Sequence, residues 1–469
     1  MVEKVIIGRN SGYALYLVLT VLSIISILIL IILNNLRTIS QQTAIELNKQ
    51  QARLLAESGI ARTEYFLHGG DGRNMLWETD SFCETIRDAG EVHISCRRMG
   101  GYIKLICTGN RISSWCRINA VMGRNIPDPL KPIITLTSSS GRGFVMEDST
   151  KLDGCVVLAG DGFVSYSSSR GKRIPGSGAW VKNHESGPLP FSYGCIDTVF
   201  LNIRKEYAHL KKMQEAHSGN RTLSDSADAA AGTEPYIVQG NCAVEKIHLE
   251  NRTIVAGGTI TIGEGVNALL CTFMAKKIYI NSGETVQCLF YSPGPQRLSG
   301  GLHESQFVSE DTIRIDKKAQ CTGTCVWISK KSLESDTINH GGVDFNGPGP
   351  YSGSVICFSD SAVRNDPVFK CRSISIADSC MFSGYLVTDG ELELGAASIN
   401  GHIWAQKIIG VQGQRKETNW LFARSITTHG YQIPFPLFGA APLLLRKCFY
   451  KKDFSIKPQF RTQNNDSLH

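Results

Sequence analysis

The chain carries little charge for its length, and over one long stretch it carries none. Only 19% of its 469 residues are Asp, Glu, Lys or Arg, and the net charge of +7 comes from basic residues that are scattered. There is no Lys/Arg stripe interleaved with aromatics, the footprint that nucleic-acid binding leaves, so no nucleic-acid partner is expected. Also missing are a Gly-x-Ser-x-Gly elbow, a Walker loop and a His-Glu-x-x-His helix, and nothing else nominates a nucleophile. Catalytic residues, metal ligands and cofactors are therefore expected to be none, and the chain is not read as an enzyme. Residues 13–33, "YALYLVLTVLSIISILILIIL", hold no charge, no Pro and no Gly. Such a run is long enough to cross a bilayer core of about 30 Å as a helix. It is too long for a cleavable secretory signal, whose apolar region spans about 7–15 residues, and no small-x-small site follows it.

The remaining composition, 42% hydrophobic with 46 Gly, fits a folded, turn-rich protein of about two or three domains. Its 15 cysteines are an odd number. Either some form disulfides with at least one left over, or they are buried thiols that behave as small hydrophobes. Cys321 and Cys325 in "CTGTC" form one tight pair, but no second pair or nearby His completes four metal ligands. A disulfide or two core thiols remain as readings.

Lys4 and Arg9 precede the apolar run, which places residues 1–12 in the cytoplasm and the rest outside. Helical patterning continues through 34–67. Ala44, Leu47, Gln51, Leu54, Ser58, Ala61 and Tyr65 recur at spacings of three and four, and Arg53 and Glu57 can pair at i,i+4. "HGGDG" from His68 suits a helix terminus. A single helix over 13–67 would be about 80 Å long at 1.5 Å per residue, far more than a membrane needs.

A short basic leader ending in Gly12, an apolar segment opening "YALYLVLTVL" and a helix closing on "AESGIARTEYFL" resemble the N-termini of type IV pilin-like proteins. The likeness is greatest to PilX-type minor pilins and K-type minor pseudopilins, and it covers roughly the first seventy residues. The resemblance implies cleavage after Gly12 by a prepilin peptidase, with Tyr13 becoming a methylated first residue. It also implies two partners for the helix, the lipid bilayer and other pilin-like subunits. The location implied is the bacterial inner membrane, single-pass, with the C-terminal part periplasmic or extracellular. Where the family carries a glutamate at the fifth mature position, this chain has Leu17. The K-type and many PilX-like proteins also lack that residue, so the resemblance implies a tip or initiating subunit rather than a major one. A plain signal-anchor helix with a stalk is the alternative.

Beyond the helix the expected fold is mainly β. Residues 68–126 read as a small α+β, pilin-like head, because "VHISCRRMGGYIKLICTGNRISSWCRINAVMG" reads as three short alternating strands joined by turns. "RNIPDPLKP" breaks the pattern and marks a boundary. After it, "GTITIGEGVNA", "KKIYINSGETV", "DTIRIDKKAQCTG", "RSISIADSCMFSG" and "GELELGAASINGH" share an apolar-x-apolar doublet followed by a turn. Ile260 and Ile278 are 18 residues apart, Ile278 and Ile313 close to twice that, and Ile374 and Leu392 again 18. A fixed period of this size predicts a parallel β-solenoid, similar to the β-helices of bactofilin-like proteins. Residues 133–195 are read as its first coils and 236–433 as the main body. Between them, 196–235 supply an amphipathic helix, with Ile196, Val199, Phe200, Ile203, Tyr207, Leu210 and Met213 on one face, and then a loop. "NHGGVDFNGPGPYSGS" is read as a second loop and 434–469 as a C-terminal tail, whose "PFPLFGAAPLLL" is too short and Pro-broken to span a membrane and which is polar and loose from Lys451 on.

The best acidic cluster is "TDGELEL", where Glu391 and Glu393 share the outward face of a strand about 7 Å apart while Leu392 and Leu394 point in. Such a pair suits acid/base chemistry or Ca²⁺, but outward carboxylates beside inward leucines are also what any solvated strand presents. The expected role is assembly and surface display, with a surface glycan or an envelope protein as the partner of the solenoid face. A static envelope scaffold and a carbohydrate-active β-helix enzyme are the alternatives.

Overall fold

The structure, a computed structural model, describes residues 10–68, 81–86, 90–99, 102–112, 114–123, 132–137, 144–147, 150–153, 155–159, 164–167, 173–175, 181–184, 193–212, 218–224, 235–322, 325–331, 333–334, 337–338, 341–359, 372–422, 425–427 and 455–464. Its contacts divide the chain into two units, Met1–Cys96 with Leu105–Ala120 and Pro458–His469, and Arg97–Lys104 with Val121–Lys457.

The first unit is built on one helix, α1, spanning Asn10–His68. With no Pro and no Gly before position 59 apart from Gly12, nothing interrupts its i to i−4 ladder for some fourteen turns. It ends at His68, where the glycine cluster was expected to stop it. In its second half Ala52, Leu55, Ala56, Ile60 and Thr63 are buried. This row differs from the expected stripe, since Leu47 and Leu54 are exposed. The reason is the close approach of the sheet. A Cβ on Gly109 would lie 2.1 Å from the Ala52 carbonyl oxygen, and one on Gly59 would lie 2.8 Å from Val92 Cγ1. The contact is made where Ala52, Ala56 and Gly59 leave room for it, with Leu55 and Ile60 packed beside them, while Leu47 and Leu54 lie on the opposite side of the helix.

Strands Ser81–Ile86, Gly90–Met99, Tyr102–Arg111 and Ser114–Gly123 follow as neighbours in a small antiparallel sheet. That is one strand more than the sequence pattern suggested. Val92, Ile94, Leu105, Cys107, Cys116 and Ile118 alternate along the strands and are buried, the period-two face expected of a half-covered sheet. The C-terminal segment expected to be loose instead contributes Ser455–Asn464 as the fifth strand, beside Ser114–Gly123.

The second unit is a stack of parallel strands. Ile260, Ile278, Gln296, Ile313, Val343, Ile374, Leu392 and Ile408 are register partners in succession, one per coil. The 18-residue period is therefore the coil length, and the double interval from Ile278 to Ile313 hides a coil whose place is taken by Gln296. That amide is buried, and its Nε2 donates to the carbonyl of Val308 at 2.8 Å. A second row runs Phe273, Phe290, Phe307, Trp327, Val355, Leu386, Ile403. Its first rings stack at centroid distances of 5.0 Å, 5.0 Å and 6.4 Å, each such pair adding about 0.5–1.5 kcal/mol beyond its area. A third ladder of short strands joins His248–Glu250, Asn267–Leu269, Glu284–Val286, Gly301–His303 and Gln320–Thr322. These ladders form a large and mostly parallel sheet region.

Two segments read as loops take part in it. Arg221–Leu223 pairs with Cys242–Val244, and within "NHGGVDFNGPGPYSGS" Gly342–Phe345 and the start of Tyr351–Ser359 are ladder strands with Val343, Phe345 and Tyr351 buried. At one corner, Cys271, Cys288 and Ser305 precede and Cys325 opens strands that stack on one another, and the next partners are Gly353, Gly384 and Gly401. These three glycines have φ of +144°, +145° and +149° and carry the chain around the corner without leaving the strand. Nine cysteines among the described residues, Cys321 and Cys325 included, are buried free thiols, the small-hydrophobe reading rather than the disulfide one.

The order in space is not the order in the chain. Strand Pro132–Leu136 pairs with Ser398–Ala405, Cys155–Ala159 pairs with Pro132–Leu136, and Val181–His184 pairs with Cys155–Ala159. Likewise Trp420 and Leu421 pair with Val145 and Met146. The segment read as the first coils thus continues the stack beyond the last ones. From there the chain must return over ten coil spacings, about 48 Å, to reach Thr253–Ile262. Helix α2, Tyr193–Lys211, makes much of that return along the side of the stack.

Candidate functional site

The described part of α1 from Leu15 to Leu36 has its large apolar side chains about half exposed or more. The few hydroxyls in it are satisfied within the helix: Thr20, Ser23 and Ser26 donate to the carbonyls of Tyr16, Leu19 and Leu22 at 2.8–2.9 Å. Between Leu17 and Leu33 these are the only polar side chains, so none there is left to demand water, the condition a lipid-facing segment must meet, and Tyr16 and the Asn34–Asn35 pair stand at its two ends. α1 is the one helix among the described residues long and apolar enough to cross a membrane. Gly12 and Tyr13 lie in its first turn, and the Tyr13 side chain is outside the described residues. Leu17, at the position where the pilin glutamate was sought, is 51% exposed and apolar like its neighbours. Further along, Arg53 and Glu57 pair at 2.9 Å as the i,i+4 spacing suggested.

Glu391 and Glu393 do occupy the outer face of strand Glu391–Leu394, with Leu392 and Leu394 fully buried behind them. Each, however, is occupied by a lysine. Lys407, the register partner of Glu391 on the next coil, donates to it at 2.6 Å, and Lys416 reaches Glu393 at 2.8 Å from the following strand. Cross-strand pairing of opposite charges accounts for the first, and Lys416, whose own register partner is Val411, reaches over the intervening strand to the second. The two carboxylates act as separate ion pairs and not as a shared site. Among the described residues no group of three His, Cys, Asp or Glu side chains comes together as a metal site. His209 is exposed on α2, and His217 lies outside the described residues.

Neither a protein-family model nor a curated protein matches this chain. Among solved structures, the competence-associated pilin ComZ from Thermus thermophilus aligns over 89% of this chain and 98% of its own, at 11% identity and a TM-score of 0.20. Superposition of that extent fixes neither fold nor role.

Two arrangements escaped the sequence reading. The first is the seat of α2. Phe200, Ile203, Tyr207 and Leu210 are buried against the stack, as their spacing suggested, but the polar contacts could not be foreseen. Arg204 grips the buried Glu310 with two nitrogens, Nε at 3.1 Å, and Tyr291 donates to the same carboxylate at 2.6 Å. Tyr207 donates to the Ala256 carbonyl at 2.9 Å, and the Phe200 ring meets Phe358 edge-on at 5.6 Å. Burial, then the adjacent Glu310 carboxylate, holds the Tyr291 hydroxyl well above its usual range, so it stays a donor. The second is a polar groove on the outside of the coils, lined in part by Arg297, Arg314, Lys317 and Lys318. Its only sequence signal is that Arg297 and Arg314 stand 17 residues apart at outward positions.

Proposed function

We propose that this chain is a single-pass, membrane-anchored, pilin-like assembly protein that holds a rigid stack of parallel coils outside the membrane for display. The observation that supports it is the division of labour along α1. Its first part is apolar on every side, and its second part buries the face of Ala52, Leu55, Ala56 and Ile60 in its own sheet while Leu47 and Leu54, seven residues apart, stay exposed on the opposite face. An anchor alone needs no second apolar stripe above the membrane. A helix that packs beside its copies does, since apolar burial at about 25 cal/mol per Å² is the available driving force there. In this reading residues 1–12 face the cytoplasm of a bacterial inner membrane and a prepilin peptidase cuts after Gly12. Leu17 removes the carboxylate that would meet a neighbour's amine, which suits a tip or initiating subunit of the PilX or K type. The coils, like a bactofilin-type β-helix in winding, contribute a stiff surface and no turnover. Glu391 and Glu393 are held in ion pairs, which disfavours a carbohydrate-active enzyme.

The deciding experiment is the intact mass and N-terminal sequence of the protein isolated from its host's membranes. A chain starting at methylated Tyr13 is expected. One still starting at Met1 would sink the assembly reading and leave a static envelope scaffold.

A further inference from the structure

The outer groove has a volume of about 850 Å³ and crosses four successive coils. Two rows, fixed by the ladder register, line it. Arg297, Arg314 and Asp344 stand one above the other at outward positions. Asn281, Ser299, Asp316 and Asn346 follow the ends of the same strands, each amide bonded to the coil before. At about 4.8 Å per coil the groove presents hydrogen-bonding side chains over about 15 Å, at a repeat comparable to one sugar unit.

Its electrostatics are one-sided where solvent reaches. Asp316 accepts from Arg297 Nε at 2.5 Å and from Ser299 Oγ at 3.0 Å, and Asp344 is 6% exposed and engaged within the protein. Arg314, Lys317 and Lys318 are exposed, and the Arg297 side chain remains 63% exposed despite its ion pair. A ligand entering the groove therefore meets four cations above two occupied carboxylates.

We propose that this groove binds an anionic polysaccharide bearing carboxylates spaced along the chain. Arginine forks pair carboxylates with two parallel hydrogen bonds, and the asparagines and serine supply partners for hydroxyls. Duplex DNA fits worse. At one charge per about 1.7 Å, about nine phosphates would lie along this length against four cations and two carboxylates. A single strand would meet one aromatic side chain, Tyr279 beside Arg297 in the register, and not the series of platforms on which successive bases stack. The inference rests on the display reading and names what the displayed face takes.

The test uses the full chain in detergent micelles, titrated with polygalacturonate, uncharged dextran and a 20-base-pair DNA duplex. Saturable binding of polygalacturonate and none of dextran is expected. The combined variant Arg314→Ala, Lys317→Ala, Lys318→Ala should weaken binding at least tenfold with unchanged melting temperature, and Asn346→Ala several-fold. Should the triple variant misfold, Arg314→Gln alone carries the comparison with the same expected direction. Equal binding by the folded variant, no binding of polygalacturonate, or tighter binding of the duplex overturns the proposal. Mass determination on the same preparation separates the two readings. A chain starting at Met1 that binds polygalacturonate sinks assembly but keeps the groove, and one starting at Tyr13 without binding does the reverse.

Discussion

The corner glycines show how much a single atom weighs in a stacked fold. A Cβ on Gly384 would sit 1.8 Å from the Gly353 carbonyl oxygen at a φ of +145°, where no other residue type is comfortable. Gly384→Ala is expected to cost at least about 3 kcal/mol, because steric clash and backbone strain add. Gly413→Ala, at φ +59° with nothing within 4 Å, should cost only about 1 kcal/mol. Urea midpoints of the two variants check this, and similar losses would contradict it. Buried ionisable groups add a pH dependence. Burial pushes the Cys242 and Cys380 thiols up from 9.0 to about 12, and raises Tyr351 and Tyr385 as well. A raised folded-state value means that the native chain keeps protons which the unfolded chain releases. Stability is then level below about pH 9 and falls above it for the thiols, and above about pH 10 for the phenols, by about 1.4 kcal/mol per pH unit for each such group. Urea unfolding from pH 8 to 11 should show that fall, with a shallower slope in Cys242→Ala. At this scale the sequence was a partial guide. The alternation around Leu392 and Leu394 was legible, but the lysines that occupy Glu391 and Glu393 come from later coils that no local pattern links to them.

At the scale of elements, α1 and α2 are each amphipathic in their own way, and each makes a separate prediction. In α1 the expected stripe and the buried stripe lie on nearly opposite sides of one cylinder, at about 100° per residue. Sequence spacing could not choose between them, because the choice depends on how closely the sheet approaches Ala52 and Gly59. The stripe left outside is the one available for assembly. Leu54→Ser, at a side chain 63% exposed, should change unfolding free energy by less than about 0.5 kcal/mol while reducing recovery of co-assembled subunits from membranes. A large stability loss would mean that Leu54 packs within its own unit. In α2 the amphipathic pattern was read correctly from Phe200, Ile203, Tyr207 and Leu210, yet the helix could have covered an end or a side. The Arg204 contact with Glu310 and the Tyr207 contact with Ala256 place it along the side. Arg204→Ala would leave a buried carboxylate without its guanidinium, at an expected cost of about 2–3 kcal/mol. Tyr207→Phe removes one hydrogen bond, worth about 1 kcal/mol. Faster amide exchange confined to the strands beneath α2 would accompany both.

For the coiled unit as a whole, the period of 18 was legible wherever coils are short, from Ile260 to Ile278 and from Ile374 to Leu392. It faded where a buried Gln296 replaced an apolar residue and where coils lengthen, as between Ile313, Val343 and Ile374. The return of residues 132–184 to the far end left no local trace at all, because the pairing of Ile403 with Ile134 joins positions remote in sequence. That pairing has a purpose that physics makes testable. A parallel ladder ending at Ser398–Ala405 would expose a row of unpaired amides and carbonyls, an open template for other chains. Strand Pro132–Leu136 covers that edge, and two further strands follow it outward. Ile134→Pro deletes a ladder donor and distorts the covering strand, whereas Ile134→Val preserves it. In the proline variant, exchange protection is expected to fall at 403–405 while 273–280 stay protected, and light scattering should report mass rising with concentration. Unchanged protection at 403–405 would mean that the late coils hold their own edge and that the early segment merely rests on it.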